Sequence, residues 1–361
     1  LSSLIVEVCR VDSIEKHPNA DKLSIISVKG WNCIVGLDQY KEGDLVVFIP
    51  PDSIIPEDLI EKYELTYLKN GGRVGSTKLR GYISQGLILA PPQGKKYKVG
   101  DDVAKEMNIK KWEPPTPSYQ QNQSGKKSTP RNINPYFDKY NDLENIKNFN
   151  NVFKDGDKVY ISEKLHGTSW RAGNHPVVNK GIKRKIVNFF KKLIGKYDGY
   201  EFVYGSRNVQ LSYTSKKGYY GDDVYGNIAK KYNMKNIIPK DYGVYGEVIG
   251  RGIQDLEYGL DEHDLYIYDI KLNGKYLPYE DMKAFCDERN LKVVPLLYIG
   301  EWNSELINTY TNGKSILAPK QIREGCVIKD YNETNDQRLG RKVLKSISFD
   351  YLTRKNATEF H

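Results

Sequence analysis

The chain has only four cysteines in 361 residues, Cys9, Cys33, Cys286 and Cys326, and no two stand close together. That spacing excludes a zinc ribbon and a small disulfide scaffold, and it fits a reducing compartment. No stretch approaches the roughly 20 apolar residues that a membrane-spanning helix requires. The opening segment Leu1 to Val11 is broken by Glu7 and lacks a basic leader region, so it does not read as a secretory signal. No internal repeat of solenoid length is visible. The expectation is an unsecreted, intracellular protein, cytoplasmic or nuclear, with organelle targeting left open because position 1 is Leu. A monomer is expected.

What is abundant is positive charge and tyrosine. Lys plus Arg number 55 against 46 Asp plus Glu, a net charge of +9 whose field favours polyanions such as RNA, DNA or an anionic membrane surface. The 28 tyrosines against ten phenylalanines and four tryptophans supply rings that stack on bases and still hydrogen-bond, although ordinary core packing uses them equally well.

The length is that of two domains of ordinary size. From Leu4 to about Leu89, short apolar runs (Leu4–Val11, Leu23–Val28, Cys33–Val35, Leu45–Ile49, Leu87–Leu89) alternate with turn residues, the spacing of a small β-barrel of OB type over residues 1–112. Residues 113–135 are poor in aliphatics and rich in Pro, Gln, Asn, Ser and Lys, the composition of a linker. Over 136–361, the runs Lys158–Ser162, Tyr242–Val248, Leu265–Ile270, Val293–Ile299 and Gly325–Lys329 mix with helical stretches such as Asp281–Arg289. The second domain is therefore expected to be α+β, rich in antiparallel sheet. Lys-x-Gly-Asp occurs at Lys41–Asp44, Lys98–Asp101 and Lys154–Asp157, each time before an apolar run, and reads as a turn that launches a strand. Lys180–Lys196 carries seven basic residues, no acid and helically spaced apolar residues. It reads as a basic amphipathic helix, either gripping phosphates or packed on the domain with a solvated lysine face.

The chemistry-bearing strings follow one another in order. Glu163-Lys164-Leu165-His166-Gly167-Thr168-Ser169 comes directly after an apolar strand, a setting that holds a lysine in a pocket beside backbone and hydroxyl donors. After it come Gly205-Ser206-Arg207, Tyr245-Gly246-Glu247-Val248, Tyr266-Ile267-Tyr268-Asp269, Glu324-Gly325-Cys326-Val327-Ile328-Lys329 and Leu344-Lys345-Ser346. Singly, each is an ordinary strand carrying a charge. Together they supply carboxylates suited to a hydrated divalent cation, and cations suited to phosphates, as phosphoryl or nucleotidyl transfer needs.

This ordered series resembles the collinear motifs of the covalent nucleotidyltransferase superfamily, polynucleotide ligases and mRNA-capping enzymes. The Lys-x-His-Gly-Thr form of the first motif is most like RNA ligases. His17-Pro18-Asn19-Ala20-Asp21-Lys22-Leu23 and Lys78-Leu79-Arg80-Gly81-Tyr82 resemble the OB domain that precedes the catalytic domain in one nick-sealing group of RNA ligases. The first of these also resembles tRNA-binding OB modules.

The resemblance implies an ATP-dependent enzyme joining RNA 3′-hydroxyl and 5′-phosphate ends through lysyl-AMP, with Mg²⁺ or Mn²⁺. It makes Lys164 the nucleophile, with Glu163, Leu165 and Gly167 in the nucleotide pocket. Arg207 and Glu247 would contact the nucleotide, Tyr268 would stack on adenine, and Asp269 and Glu324 would hold the hydrated metal. Lys329 and Lys345 would serve the phosphates, with Lys342 a weaker candidate. His166 stands where some relatives carry Asp. Arg73, Lys78, Arg80 and Tyr82 offer the basic and aromatic surface that OB barrels lay along a nucleic-acid backbone. Two alternatives stay open: a catalytically silent RNA-binding protein, and a DNA ligase or capping guanylyltransferase. The order, barrel first and about sixteen residues after Lys345, favours the RNA ligase over the last two.

Overall fold

The computed structural model describes residues 4–68, 71–113, 133–178, 198–211 and 223–354. The basic segment Lys180–Lys196 and most of the expected linker lie outside the described residues. Two compact units divide the chain. One holds residues up to 113 with 143–150 and 349–354, and the other holds 133–142 and 151–348. The first unit therefore takes in two short stretches that a contiguous reading of the sequence gives to the second domain.

The first unit is built of short antiparallel strands: β1 (Glu7–Arg10), β2 (Ser13–Lys16), β3 (Leu23–Val28), β4 (Trp31–Gly36), β5 (Leu45–Ile49), β6 (Ser53–Ile54), β7 (Ser76–Leu79), β8 (Tyr82–Gln85), β9 (Leu87–Leu89), β10 (Lys110–Lys111) and β11 (Glu144–Asn145). Strands β1, β5 and β9 form one sheet and β2, β3 and β4 a second, while β7 pairs with β8 and β6 with β10. Leu-Val-Val-Phe-Ile is apolar throughout because β5 is buried on both faces. Val46 and Phe48 enter a cluster with Ile26, Trp31 and Cys33, whereas Val47 and Ile49 enter another with Val6, Val8 and Leu89. The Lys-x-Gly-Asp strings are turns in which the Asp carboxylate caps the first Lys N–H, at 2.8 Å in Lys41–Asp44 and Lys98–Asp101 and 3.2 Å in Lys154–Asp157. Gly43, Gly100 and Gly156 take the positive φ that the third turn position demands.

The second unit carries two antiparallel-rich sheets. One has the order β20 (Leu296–Glu301), β12 (Lys158–Lys164), β21 (Gly325–Asp330), β24 (Val343–Ile347). The other runs β15 (Gln210–Leu211), β14 (Tyr200–Ser206), β13 (Thr168–Pro176), β16 (Tyr242–Ile249), β17 (Asp264–Leu272), β18 (Lys275–Tyr276), with β19 (Lys292–Val293) parallel to β17. A hairpin of β22 (Asn335–Asp336) and β23 (Gly340–Arg341) precedes β24. Helices Val224–Lys231 and Tyr279–Glu288 contribute Val224, Ile228, Met282 and Phe285 to the same core as Trp170, Val244 and Ile267 of the second sheet. The run Val293–Ile299, expected as one strand, is two. Pro295 has no N–H to give a ladder, and its carbonyl instead accepts the Glu163 N–H at 2.8 Å.

Candidate active site

Cross-strand partners in an antiparallel sheet share a face, and residues two apart along a strand return to it. On β12 and β21 the partners are Tyr160 with Lys329, Ser162 with Val327 and Lys164 with Gly325, and on β24 Lys345 lies opposite Val327. Lys164, Lys329 and Lys345 therefore rise from one face. Glu163 points from the other, where the Ile316 N–H donates to its Oε2 at 2.8 Å and burial pushes its pKa up.

Lys164 ends β12, and its Nζ donates to Glu324 Oε1 at 2.5 Å, the lysine side chain a quarter exposed and the glutamate 4%. The chain then doubles back into β13 through Leu165-His166-Gly167. A Cβ on Gly167 would meet the Val248 carbonyl oxygen at 2.2 Å and Ile249 Cγ2 at 2.8 Å, so only glycine lets the turn after Lys164 lie this close to β16. His166 is buried. Its N–H donates to the Tyr258 hydroxyl at 2.7 Å, and its Nε2 lies 2.9 Å from Asp255 Oδ1. Burial lowers its pKa, so the ring is neutral at pH 7. Its proton sits on Nε2, facing a carboxylate that can only accept, and Nδ1 points toward Glu324 Oε2 at 3.7 Å. Among the described residues, no donor reaches Glu324 Oε2.

The second sheet supplies the facing groups. Ser169 on β13 lies opposite Glu247 on β16, and Ser169 Oγ is 3.0 Å from the Tyr268 hydroxyl. A bulge sets Tyr268 out of register, since Tyr245 pairs with Asp269 and Gly246 with Ile267. Bulges re-aim side chains in this way. Removal from water raises the pKa of Glu247 to about 8, and Glu324 pushes in the same direction. Arg207, at the end of β14, is paired with Asp142.

Asp269, expected beside a metal, occupies a different place. Its carboxylate is 1% exposed and already bonded to Arg341 Nη2 at 2.5 Å, Arg341 Nη1 at 2.9 Å, Lys329 Nζ at 2.9 Å and the Tyr140 hydroxyl at 2.5 Å. Burial alone would raise its pKa, but Arg341 and Lys329 overcome this and hold it at about 2. Three of these donors fall on Oδ2 and one on Oδ1, so the carboxylate is held by two cations and a hydroxyl. Lys329 in turn donates to the Tyr268 carbonyl at 2.6 Å, so this buried cluster fixes the bulge. Lys342 bonds to Asp157 at 2.7 Å and anchors the turn before β12.

Reading the sequence missed Tyr140, Asp142, Arg171, Asp255, Tyr258 and Arg341. Arg171 is buried, donating to the Ser206 carbonyl at 2.9 Å and the Phe137 carbonyl at 2.7 Å. Asp255 and Tyr258 lie in an irregular segment about 90 residues from His166, with no periodicity to mark them. In the first unit, Arg73 donates to Asp52 and lies 3.4 Å from the Trp112 ring centroid, whereas Lys78 and Arg80 stand exposed on the β7–β8 hairpin.

A family model described as RNA ligase matches residues 157–347, and an OB-fold domain model matches residues 5–91. Among curated proteins, the phenylalanine–tRNA ligase beta subunit of Leptospira interrogans is 35% identical over 77 residues, 20% of this chain and 10% of that protein. That of Bdellovibrio bacteriovorus is 33% identical over 109 residues, 26% of this chain and 13% of that protein. The chain thus spans about a tenth of the length of these curated relatives. Among solved structures, the Naegleria gruberi RNA ligase with ATP and Mn shares the fold at a TM-score of 0.73, with 24% identity over 96% of this chain and 98% of that one. The same ligase with PPi gives 0.72 at 24% identity, covering 97% and 98%. With the RNA ligase model matching more than half of its length and the OB-fold model ahead of it, the chain belongs to the RNA ligase family and carries an N-terminal OB-fold domain.

Proposed function

We propose that the chain is an ATP-dependent RNA ligase that seals 3′-hydroxyl and 5′-phosphate ends, at nicks, through lysyl-AMP and RNA-adenylate. The observation that carries this reading is the Lys164–Glu324 pair at the strand end, with Lys329 and Lys345 on the same sheet face and Glu247 opposite. The solved Naegleria relative holds ATP and Mn, which supports ATP as the nucleotide here.

Lys164 must first give up its proton, because only the neutral amine has a lone pair to offer. Nζ then attacks the α-phosphorus of ATP. A P–N bond forms, the bond to the bridging oxygen breaks, pyrophosphate leaves with the electron pair, and the nitrogen sheds its surplus proton to water. An oxygen of the RNA 5′-phosphate next attacks the AMP phosphorus, restoring the lysine and making a 5′–5′ pyrophosphate. Finally the 3′-hydroxyl loses its proton, attacks the RNA phosphorus and expels AMP.

Lys345 and Lys329 place positive charge where the transferring phosphoryl group gains negative charge. Arg207 faces the nucleotide's ribose and phosphate, and Tyr268 its base. Glu247, neutral below about pH 8, donates to a ribose oxygen. A divalent cation with its waters fits Glu324 Oε2, which no donor among the described residues reaches, and when bound it would neutralise charge on the phosphates. Asp269 is assigned to holding Lys329 and Tyr268. Arg73, Lys78 and Arg80 of the OB-fold domain serve the polynucleotide.

Sealing of a nicked duplex with a 3′-terminal ribonucleotide, compared with the same nick ending in deoxyribose, tests the substrate class, since the 2′-hydroxyl is what separates RNA from DNA. RNA ligase activity predicts joining of the first well above the second. Equal joining of both, or joining of neither, contradicts it.

A further inference from the structure

His17 and Asn19 take no part in the chemistry above, yet they are tied to one feature. His17 is 1% exposed. Its Nδ1 accepts the Asn19 backbone N–H at 3.0 Å, which puts the ring proton on Nε2, and Nε2–H donates to the Leu79 carbonyl at 3.2 Å. The ring meets Tyr82 edge-on at 4.9 Å. Asn19 is exposed, but its Nδ2 donates to the Arg80 carbonyl at 2.9 Å. The Nε2 and Nδ2 bonds and the ring contact all fall on Leu79-Arg80-Gly81-Tyr82, the turn of the β7–β8 hairpin.

That turn is a two-residue loop with both central residues at positive φ, 46° at Arg80 and 94° at Gly81. The pattern is that of a type I′ hairpin, which follows the twist of the strands but disfavours a side chain such as arginine. Holding Arg80 there needs outside support, and the two carbonyls of the turn receive it from His17 and Asn19. What is held is a short hairpin with Lys78, Arg80 and Tyr82 exposed, two cations and a ring.

We propose that His17 and Asn19 are positioning residues. They buckle the β7–β8 hairpin into a finger whose Lys78 and Arg80 meet the phosphates of a polynucleotide and whose Tyr82 stacks on a base. The chemistry of the finger matches a nucleic acid, since cations displace counterions from phosphates and every base offers a face to a ring. The inference rests on RNA as the substrate.

The test uses the full chain and two readouts, equilibrium binding of a nicked RNA duplex across a salt series and covalent labelling of the protein by ATP. Asn19→Ala removes an exposed side chain, and a melting curve verifies that its fold is kept. It also carries the test if His17→Ala fails to fold. The buckle predicts that Asn19→Ala weakens RNA binding about threefold to tenfold while labelling stays within about twofold. K78A/R80A should flatten the salt dependence by about two counterions. Adding Asn19→Ala to K78A/R80A should then lose little more, because the buckle acts through the finger. Unchanged RNA binding in Asn19→Ala, a fully additive loss in the combined variant, or an equal fall in labelling would each overturn the proposal. A wild-type chain that takes no label would strike the ligase reading alone, with the binding comparison still deciding the buckle.

Discussion

In the N-terminal unit the buried polar residues, among those described, are His17, Ser24, Ser53, Ser84 and Gln85, with no Asp, Glu, Lys or Arg. The catalytic unit buries Glu163, Arg171, Asp269, Glu324 and Lys329. Taking a charge out of water costs several kcal/mol unless partners answer it, so a fold keeps such groups inside only under constraint. Covalent transfer imposes that constraint, because an amine and the charges around it must be fixed before a phosphorus arrives. A reversible grip on a polyanion does not, and its cations work from the surface. The contrast teaches that the two units place charge differently: the catalytic unit fixes charged groups in its interior, whereas the N-terminal unit keeps them at its surface.

Substitutions that attack this contrast should differ in what they affect. The largest effect is expected from Glu324→Ala, which leaves Lys164 without its partner at 2.5 Å and removes the candidate cation ligand. Covalent labelling by ATP should fall about 10³-fold, the scale of losing a major electrostatic contact to a transition state. A labelling time course measures it. Asp255→Asn should lower labelling about tenfold, because it loosens His166, which lies between Asp255 and the Glu324 that pairs with Lys164. RNA binding should be unaffected in the same protein.

Gly167→Ala should destabilise the catalytic unit by about 1–3 kcal/mol, because its Cβ has to displace the Val248 carbonyl. Denaturant unfolding reads this directly. Glu247→Gln should change how stability depends on pH. Between the ordinary value of 4.5 and about 8, the native glutamate keeps a proton that the unfolded chain has lost, so stability falls as pH rises through that window. The glutamine variant should lack this fall and gain on the order of a few kcal/mol relative to wild type between pH 5 and pH 8. Melting temperatures at pH 5.5 and 8 test the sign. The smallest effect belongs to Asp101→Ala, which removes one turn cap in the N-terminal unit. It should cost about 0.5–1.5 kcal/mol of stability and leave labelling untouched.

Lys164, Glu247, Glu324 and Lys345 could be picked from the sequence because each sits in a short string on or beside a strand, and strand order carries those strings into one site. The Lys-x-Gly-Asp turns were legible for a local reason, a glycine and a capping carboxylate at fixed spacing. Asp269 stands out in the sequence, but the partners that surround it do not. Its partner Arg341 comes from a hairpin 72 residues away, and no local pattern announces that pairing. The same holds for Asp255 and Tyr258 beside His166, which long-range folding of an irregular segment brings in. The division into units was blurred for a related reason. Ile146 is buried and Lys147 lies 4.6 Å from the Trp31 ring centroid, so residues past the expected linker return to the first unit.

The central claim is that Lys164 forms a covalent bond to AMP. The chain, first treated with pyrophosphate to discharge any AMP it carries, is incubated with α-labelled ATP and Mg²⁺ or Mn²⁺. Denaturing electrophoresis and intact mass are then compared for wild type and Lys164→Ala. The account predicts a labelled wild-type protein heavier by one AMP and no adduct in the variant, whereas an adduct that survives in Lys164→Ala, or none in wild type, would contradict it.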